Sequence, residues 1–97
     1  MRRRYLLCYD IRDSRRLRQT HRIAREHGEA LQYSVFICDL SATERIQMMD
    51  AFRDVLDQTV DSIAVFDLGA TQTDEKAQVV DRLGPQPPLP HGGPTIV

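Results

Sequence analysis

The 97 residues predict an α+β domain. Three observations lead to that class. Tyr5-Leu6-Leu7-Cys8-Tyr9 is apolar on both faces, as a central strand buried on both sides must be. Two later segments show helical periodicity behind a capping residue. Stretches with the strand's two-residue alternation lie between and beyond them.

The first strand runs into Asp10-Ile11-Arg12-Asp13-Ser14, where either Asp13 or Ser14 can cap the next helix. That helix covers Arg15 to about His27, with Gly28 placed to close it in the left-handed conformation. At about 100° per residue, Leu17, Thr20, Ile23, Ala24 and His27 share one side. Arg15, Arg18, Arg22 and Arg25 fall within about 80° of one another on the other side. A second strand is expected from Leu31 to about Cys38. Ser41-Ala42-Thr43-Glu44 is a capping box opening a helix to about Asp57, with Ile46, Met49, Phe52 and Leu56 as its buried ridge. A further strand spans Val60 to Leu68, ahead of Gly69, and Ala77 to Leu83 alternates weakly enough to be another.

Taken as β-α-β-β-α-β, an order that needs one more strand between the two helices than the alternation marks, the chain is expected to adopt the split βαβ, or ferredoxin-like, arrangement. It is a four-stranded, antiparallel-containing sheet of order 4-1-3-2 with two helices on one face. The domain is expected over residues 1–84. All five prolines lie from Pro85 to Pro94, so 85–97 reads as an extended arm ending in the strand-like Thr95-Ile96-Val97. The expected strand order puts a strand between Cys8 and Cys38, so both are read as unpaired, small, buried hydrophobes.

Composition excludes several classes. No apolar run approaches the roughly 20 residues of a membrane-spanning helix. Arg2-Arg3-Arg4 resembles the start of a signal sequence, but the apolar stretch behind it stops at Asp10. Two cysteines without a CxxC pair suggest neither a zinc site nor a disulfide framework, which fits a cytoplasmic protein. His21 and His27 lie too far apart around a helix to share a metal, and His91 sits in the arm.

The net charge of −1 conceals a strong asymmetry. Residues 1–25 hold nine arginines against Asp10 and Asp13, or +7, while the remainder holds four basic and twelve acidic residues, or −8. Such polarity suits a polyanion-binding surface on an acidic body, and the arginine fork suits phosphate oxygens. The alternative is a solvated basic helix face, with Arg22–Glu26 and Arg25–Glu29 pairs.

Asp10 is the candidate catalytic and metal-binding residue, since the end of a central strand brings it to the sheet rim. One carboxylate binds Mg²⁺ poorly, but a two-fold axis beside Asp10 would supply a second copy. The alternative reading makes Asp10 a loop cap or an arginine partner, and Asp13 a helix cap. Arg12, Arg15, Arg16, Arg18 and Arg22 are the candidate nucleic-acid contacts, holding backbone phosphates without reading bases. Ser34 is expected mid-strand. Aromatic residues lie mostly at core positions, so a base-stacking platform finds little support.

Tyr9-Asp10-Ile11, the arginine-rich helix after it and Gln32-Tyr33-Ser34-Val35-Phe36 together resemble the second CRISPR-associated (Cas) protein family. The resemblance runs from about Arg4 to Leu68, and more loosely to Leu83-Gly84. The terminal Gly93-Pro94-Thr95-Ile96-Val97 is similar to a strand that family members add to a partner's sheet. The resemblance implies a homodimer that joins the CRISPR integrase subunit in spacer acquisition and holds duplex DNA. It also implies Mg²⁺- or Mn²⁺-dependent endonuclease activity on RNA or double-stranded DNA. Asp10 matches the family's metal-binding aspartate, Arg15, Arg16 and Arg18 lie in its phosphate-contacting region, and Tyr9, Ser34 and Phe36 match further motif positions. Two positions depart from the pattern: Ala30 stands where arginine is frequent, and Ile37 where glutamate is frequent. A non-catalytic dimeric scaffold bridging integrase subunits is the competing expectation.

Overall fold

The computed structural model describes residues 1–70, 81 and 83–85. Strand β1, Arg3–Asp10, alternates faces as its sequence demands: Tyr5, Leu7 and Tyr9 are buried, while Asp10 is exposed. Asp13 rather than Ser14 caps helix α1, Ser14–His27, its carboxylate accepting from the Arg16 amide at 2.9 Å. Helix α1 buries Thr20 and Ala24, with Leu17 and Ile23 packed on the core, and leaves Arg15, Arg18, Arg22 and Arg25 exposed.

The segment expected as one strand over Leu31–Cys38 is instead a hairpin. Strand β2 is Glu29–Gln32, Tyr33-Ser34 make the turn, and β3 is Val35–Leu40. Ser34 therefore sits in a turn, its carbonyl accepting from the Tyr9 amide at 3.1 Å. Helix α2, Ala42–Val55, begins with the expected capping box: Glu44 N donates to Ser41 Oγ and Ser41 N to the Glu44 carboxylate. Its buried ridge is Met48 and Phe52, with Met49 and Leu56 against the core, whereas Ile46 is exposed. Strand β4 is Ser62–Ala70.

The element order is thus βαββαβ and the sheet order β2-β3-β1-β4, antiparallel throughout, which is the ferredoxin-like arrangement. The weak strand expected over Ala77–Leu83 falls largely outside the described residues. The proline-rich arm beyond Pro85, with Thr95-Ile96-Val97, lies wholly outside them.

Both helices close over one face of the sheet. Leu7, Phe36, Cys38, Met48, Phe52 and Ala24 meet there with essentially no solvent exposure. Burying aliphatic and aromatic side chains of this size stabilises the fold by about 1.5–3 kcal/mol each. The cysteines require a correction. Cys8 and Cys38 lie on neighbouring strands, but Cys8 pairs with Val35 and Cys38 with Tyr5. That register sends Cys38 into the core and Cys8 to the opposite face, so both remain free thiols. Burial pushes the Cys38 thiol up to about 12.

Gly28 also differs from expectation. Its backbone is extended (φ −161°, ψ −169°), not left-handed, while its amide still donates to the Ala24 carbonyl at 2.9 Å. Glycine is required there by crowding: a Cβ would run into the Ile37 carbonyl oxygen and lie 2.5 Å from Cys38 Sγ.

Candidate functional site: the Asp10 rim and the arginine face

The uncovered sheet face is the first component. On it, Leu6 stands between Ile37 and Phe66, and Cys8 between Val35 and Ala64. No described helix covers these residues, and Phe66 is 53% exposed. Asp10 ends β1 on this face, exposed and opposite Ser62 of the edge strand β4.

The loop after Asp10 is held from behind by an aspartate that the sequence reading did not single out. Asp61, its side chain fully buried, accepts from Arg12 N (2.9 Å), Arg16 Nε (2.6 Å) and Nη2 (3.3 Å), and Asp57 N (3.1 Å). These bonds, led by those from Arg16, hold the Asp61 carboxyl down at about 2. The only sequence signal for this role is an acid at the start of an apolar strand. Arg16 differs accordingly from its neighbours on α1: its guanidinium is engaged by Asp61.

Ion pairs sort the remaining arginines. Arg2 pairs with Glu44 (2.8 Å), Arg3 with Asp67 (2.9 Å) and Arg4 with Asp39 (2.8 Å), so the basic start of the chain neutralises acids of the body. Arg12, Arg15, Arg18, Arg22 and Arg25 are all exposed and make no ion pair among the described residues. The expected Arg22–Glu26 and Arg25–Glu29 pairs do not form. What the charge asymmetry leaves is therefore a cationic face on α1 and its preceding loop, suited to a phosphate backbone.

Tyr9 and Phe36 are not beside Asp10. Both are buried in the core with their rings stacked at 6.2 Å. The Tyr9 hydroxyl lies within hydrogen-bond distance of both the Tyr33 carbonyl oxygen (3.2 Å) and His21 Nδ1 (2.9 Å). Burial, reinforced by Arg25, lowers the His21 pKa. Ala30 is half-buried against the core, and Ile37 is 9% exposed at the centre of the sheet.

The described residues form a small ferredoxin-like α+β domain with one apolar sheet face that no described helix covers, an acid at its rim and a cationic helix. The family model described as "CRISPR associated protein Cas2" matches residues 1–76, and the chain belongs to that family. It is 34% identical over 80 residues to the CRISPR-associated endoribonuclease Cas2 1 of Rhodospirillum rubrum, covering 82% of this chain and 76% of that one. It is 35% identical over 68 residues to the CRISPR-associated endoribonuclease Cas2 2 of Thermodesulfovibrio yellowstonii, covering 70% and 75%. Among solved structures, the hypothetical protein TT1823 of Thermus thermophilus superposes with a TM-score of 0.72 at 27% identity, over 92% of this chain and 99% of that one. Streptococcus pyogenes Cas2 superposes with a TM-score of 0.64 at 27% identity, over 68% and 86%.

Neither described helix is long and apolar enough to cross a membrane.

Proposed function

We propose that this protein is a homodimeric, metal-dependent endonuclease of the cytoplasm, hydrolysing phosphodiesters of RNA and, with the same groups, double-stranded DNA. The two copies join through the bare sheet faces, and RNA is the first substrate to test because the relatives above carry the name endoribonuclease. The observation that carries the reading is the place of Asp10: exposed, at the rim of an apolar face made by Leu6, Cys8, Ile37 and Phe66. Apolar burial favours closing that face with its own copy.

A metal fits only in the dimer. Among the described residues no group of three or more His, Cys, Asp or Glu side chains converges. Mg²⁺ or Mn²⁺ needs several oxygens and keeps much of its water, so the pair of Asp10 carboxylates supplies the protein's share. The ion, when bound, stabilises the charge that builds on a phosphodiester under attack by water. The two Asp10 carboxylates would hold the ion beside the bound nucleic acid. Arg12, Arg15, Arg18 and Arg22 hold neighbouring phosphates, and Arg16 fixes the loop through Asp61. In CRISPR adaptation the same dimer would carry duplex DNA beside the integrase subunit.

Incubation of wild type and Asp10→Ala with RNA and with duplex DNA, in Mg²⁺ or in EDTA, tests the reading. Cleavage confined to wild type in Mg²⁺ is expected, with both proteins dimeric. Wild-type cleavage by Asp10→Ala would refute it. A non-catalytic scaffold bridging integrase subunits is the second reading, favoured by Ala30, whose short side chain offers no cation to a phosphate. Metal-insensitive binding without cleavage selects that reading.

A further inference from the structure

Tyr33 is a turn residue with no share in the core, yet its ring is held in place. It is 65% exposed and stacks on the His21 ring, centroids 5.2 Å apart and planes 20° apart. His21 is itself fixed from beneath by the Tyr9 hydroxyl at 2.9 Å and by an edge contact with Phe36 at 5.5 Å. The Tyr33 carbonyl accepts from the same hydroxyl, so the turn cannot swing away without breaking that bond. An exposed aromatic ring pinned through three core contacts is preorganised, and a partner that stacks on it meets little ordering cost.

Beside this stack lies an open hollow of about 440 Å³, lined by Arg18, His21, Arg22, Arg25 and Glu26. Three arginines against one glutamate leave it strongly positive. None of the three arginines makes an ion pair among the described residues. Over the seven steps from Arg18 to Arg25 they run roughly 10 Å along the helix, given about 1.5 Å rise per residue. Exposed π-surface next to a cationic rail is the combination that holds single-stranded nucleic acid. A duplex satisfies only half of it, because paired bases are stacked within the helix and have no free face to offer.

We infer that Tyr33, backed by His21, is a stacking platform for an unpaired nucleotide whose flanking phosphates lie along Arg18, Arg22 and Arg25. This rests on the reading of the chain as a nucleic-acid-binding protein, but not on chemistry at Asp10. The platform makes single-stranded segments distinguishable from duplex by a residue remote in role from the metal site.

Binding of a fluorescent oligouridylate and of a fluorescent RNA duplex, in EDTA, tests the inference with Asp10→Ala as the parent so that no cleavage intervenes. Tyr33→Ala should weaken oligouridylate binding at least about fivefold, as loss of one base–aromatic stack predicts, and leave duplex binding within about twofold. Tyr33→Phe, which keeps the ring, should restore the parent affinity. Circular dichroism melting of each variant separates a lost platform from a lost fold. Equal weakening on both nucleic acids, or none on either, overturns the platform while leaving the nucleic-acid reading intact. Failure of the parent to bind either nucleic acid overturns both.

Discussion

Arg16 and Asp61, 45 residues apart in sequence, are joined by a 2.6 Å charge-assisted hydrogen bond, and Asp61 also takes the Arg12 amide at 2.9 Å. The loop carrying Asp10 is thereby tied to the segment that starts β4. A fully buried carboxylate with this many donors has no substitute, because an amide at the same place offers one acceptor oxygen and turns a donor toward donors. Asp61→Asn should lower the thermal midpoint by at least about 5 °C near neutral pH. The acid limb gives the sign. Asp61 titrates near 2 in the fold, below the ordinary 3.8, so its charge stabilises the fold above about pH 4. That contribution disappears as pH falls toward 2. The gap between wild type and Asp61→Asn should therefore close between about pH 4 and pH 2. A gap of constant size across that range would show that packing, not the carboxylate charge, is the source.

The sheet face that no described helix covers predicts self-association that a single charge can abolish. Phe66 is 53% exposed and lies opposite Leu6, so Phe66→Glu removes little from the folded chain yet would bury a charge in a dimer. Wild type should sediment as a dimer and Phe66→Glu as a monomer with the same far-ultraviolet spectrum. Cys8, on the same face, should react with a thiol reagent faster in Phe66→Glu than in wild type, while buried Cys38 stays unreactive in both. A dimeric Phe66→Glu would show that the copies meet elsewhere.

What could be read from the sequence divides along the range of the signals. The first strand, the arginine helix and the Ser41 capping box are written in neighbouring residues, and the structure has them at nearly the expected bounds. The hairpin is not. Its turn, Tyr33-Ser34, contains no Gly, Pro, Asn or Asp, and the two-residue alternation runs straight through it. On α2, Met49, Phe52 and Leu56 face the core as the period predicts, but the ridge includes Met48 and not Ile46, because both fit a helical period and only the neighbouring elements decide between them. Asp10 is legible because it ends a recognisable strand. Asp61 is not, since its partners Arg12 and Arg16 are brought to it only by the fold. The exposure of Tyr33 follows from the unforeseen turn and stayed hidden with it.

Thr20 offers a gain in stability. It is fully buried on α1, and its Oγ1 has no hydrogen-bond partner. A buried hydroxyl stripped of water and left unpaired costs about 1–3 kcal/mol, and valine has the same shape without it. Thr20→Val should raise the thermal midpoint, whereas Thr20→Ser keeps the hydroxyl, loses a methyl group and should lower it. A destabilised Thr20→Val would mean that the hydroxyl is satisfied in solution.

Gly28 distinguishes two reasons for a glycine after a helix. Where the residue must be left-handed, asparagine is the next best choice, since it tolerates positive φ. Here the backbone is extended and the obstacle is space: the Ile37 carbonyl oxygen and Cys38 Sγ occupy the position of a Cβ. The carbonyl belongs to the backbone of β3, between β2 and β1 in the sheet, so it cannot turn aside as a side chain would. Overpacking of this kind costs about 1–3 kcal/mol. Gly28→Ala and Gly28→Asn should therefore both lower the thermal midpoint, the larger asparagine at least as much as alanine. Cys38→Ala in the Gly28→Ala background removes only the sulfur and should recover part of the loss. If Gly28→Asn melts near wild type while Gly28→Ala does not, positive φ and not crowding selects the glycine.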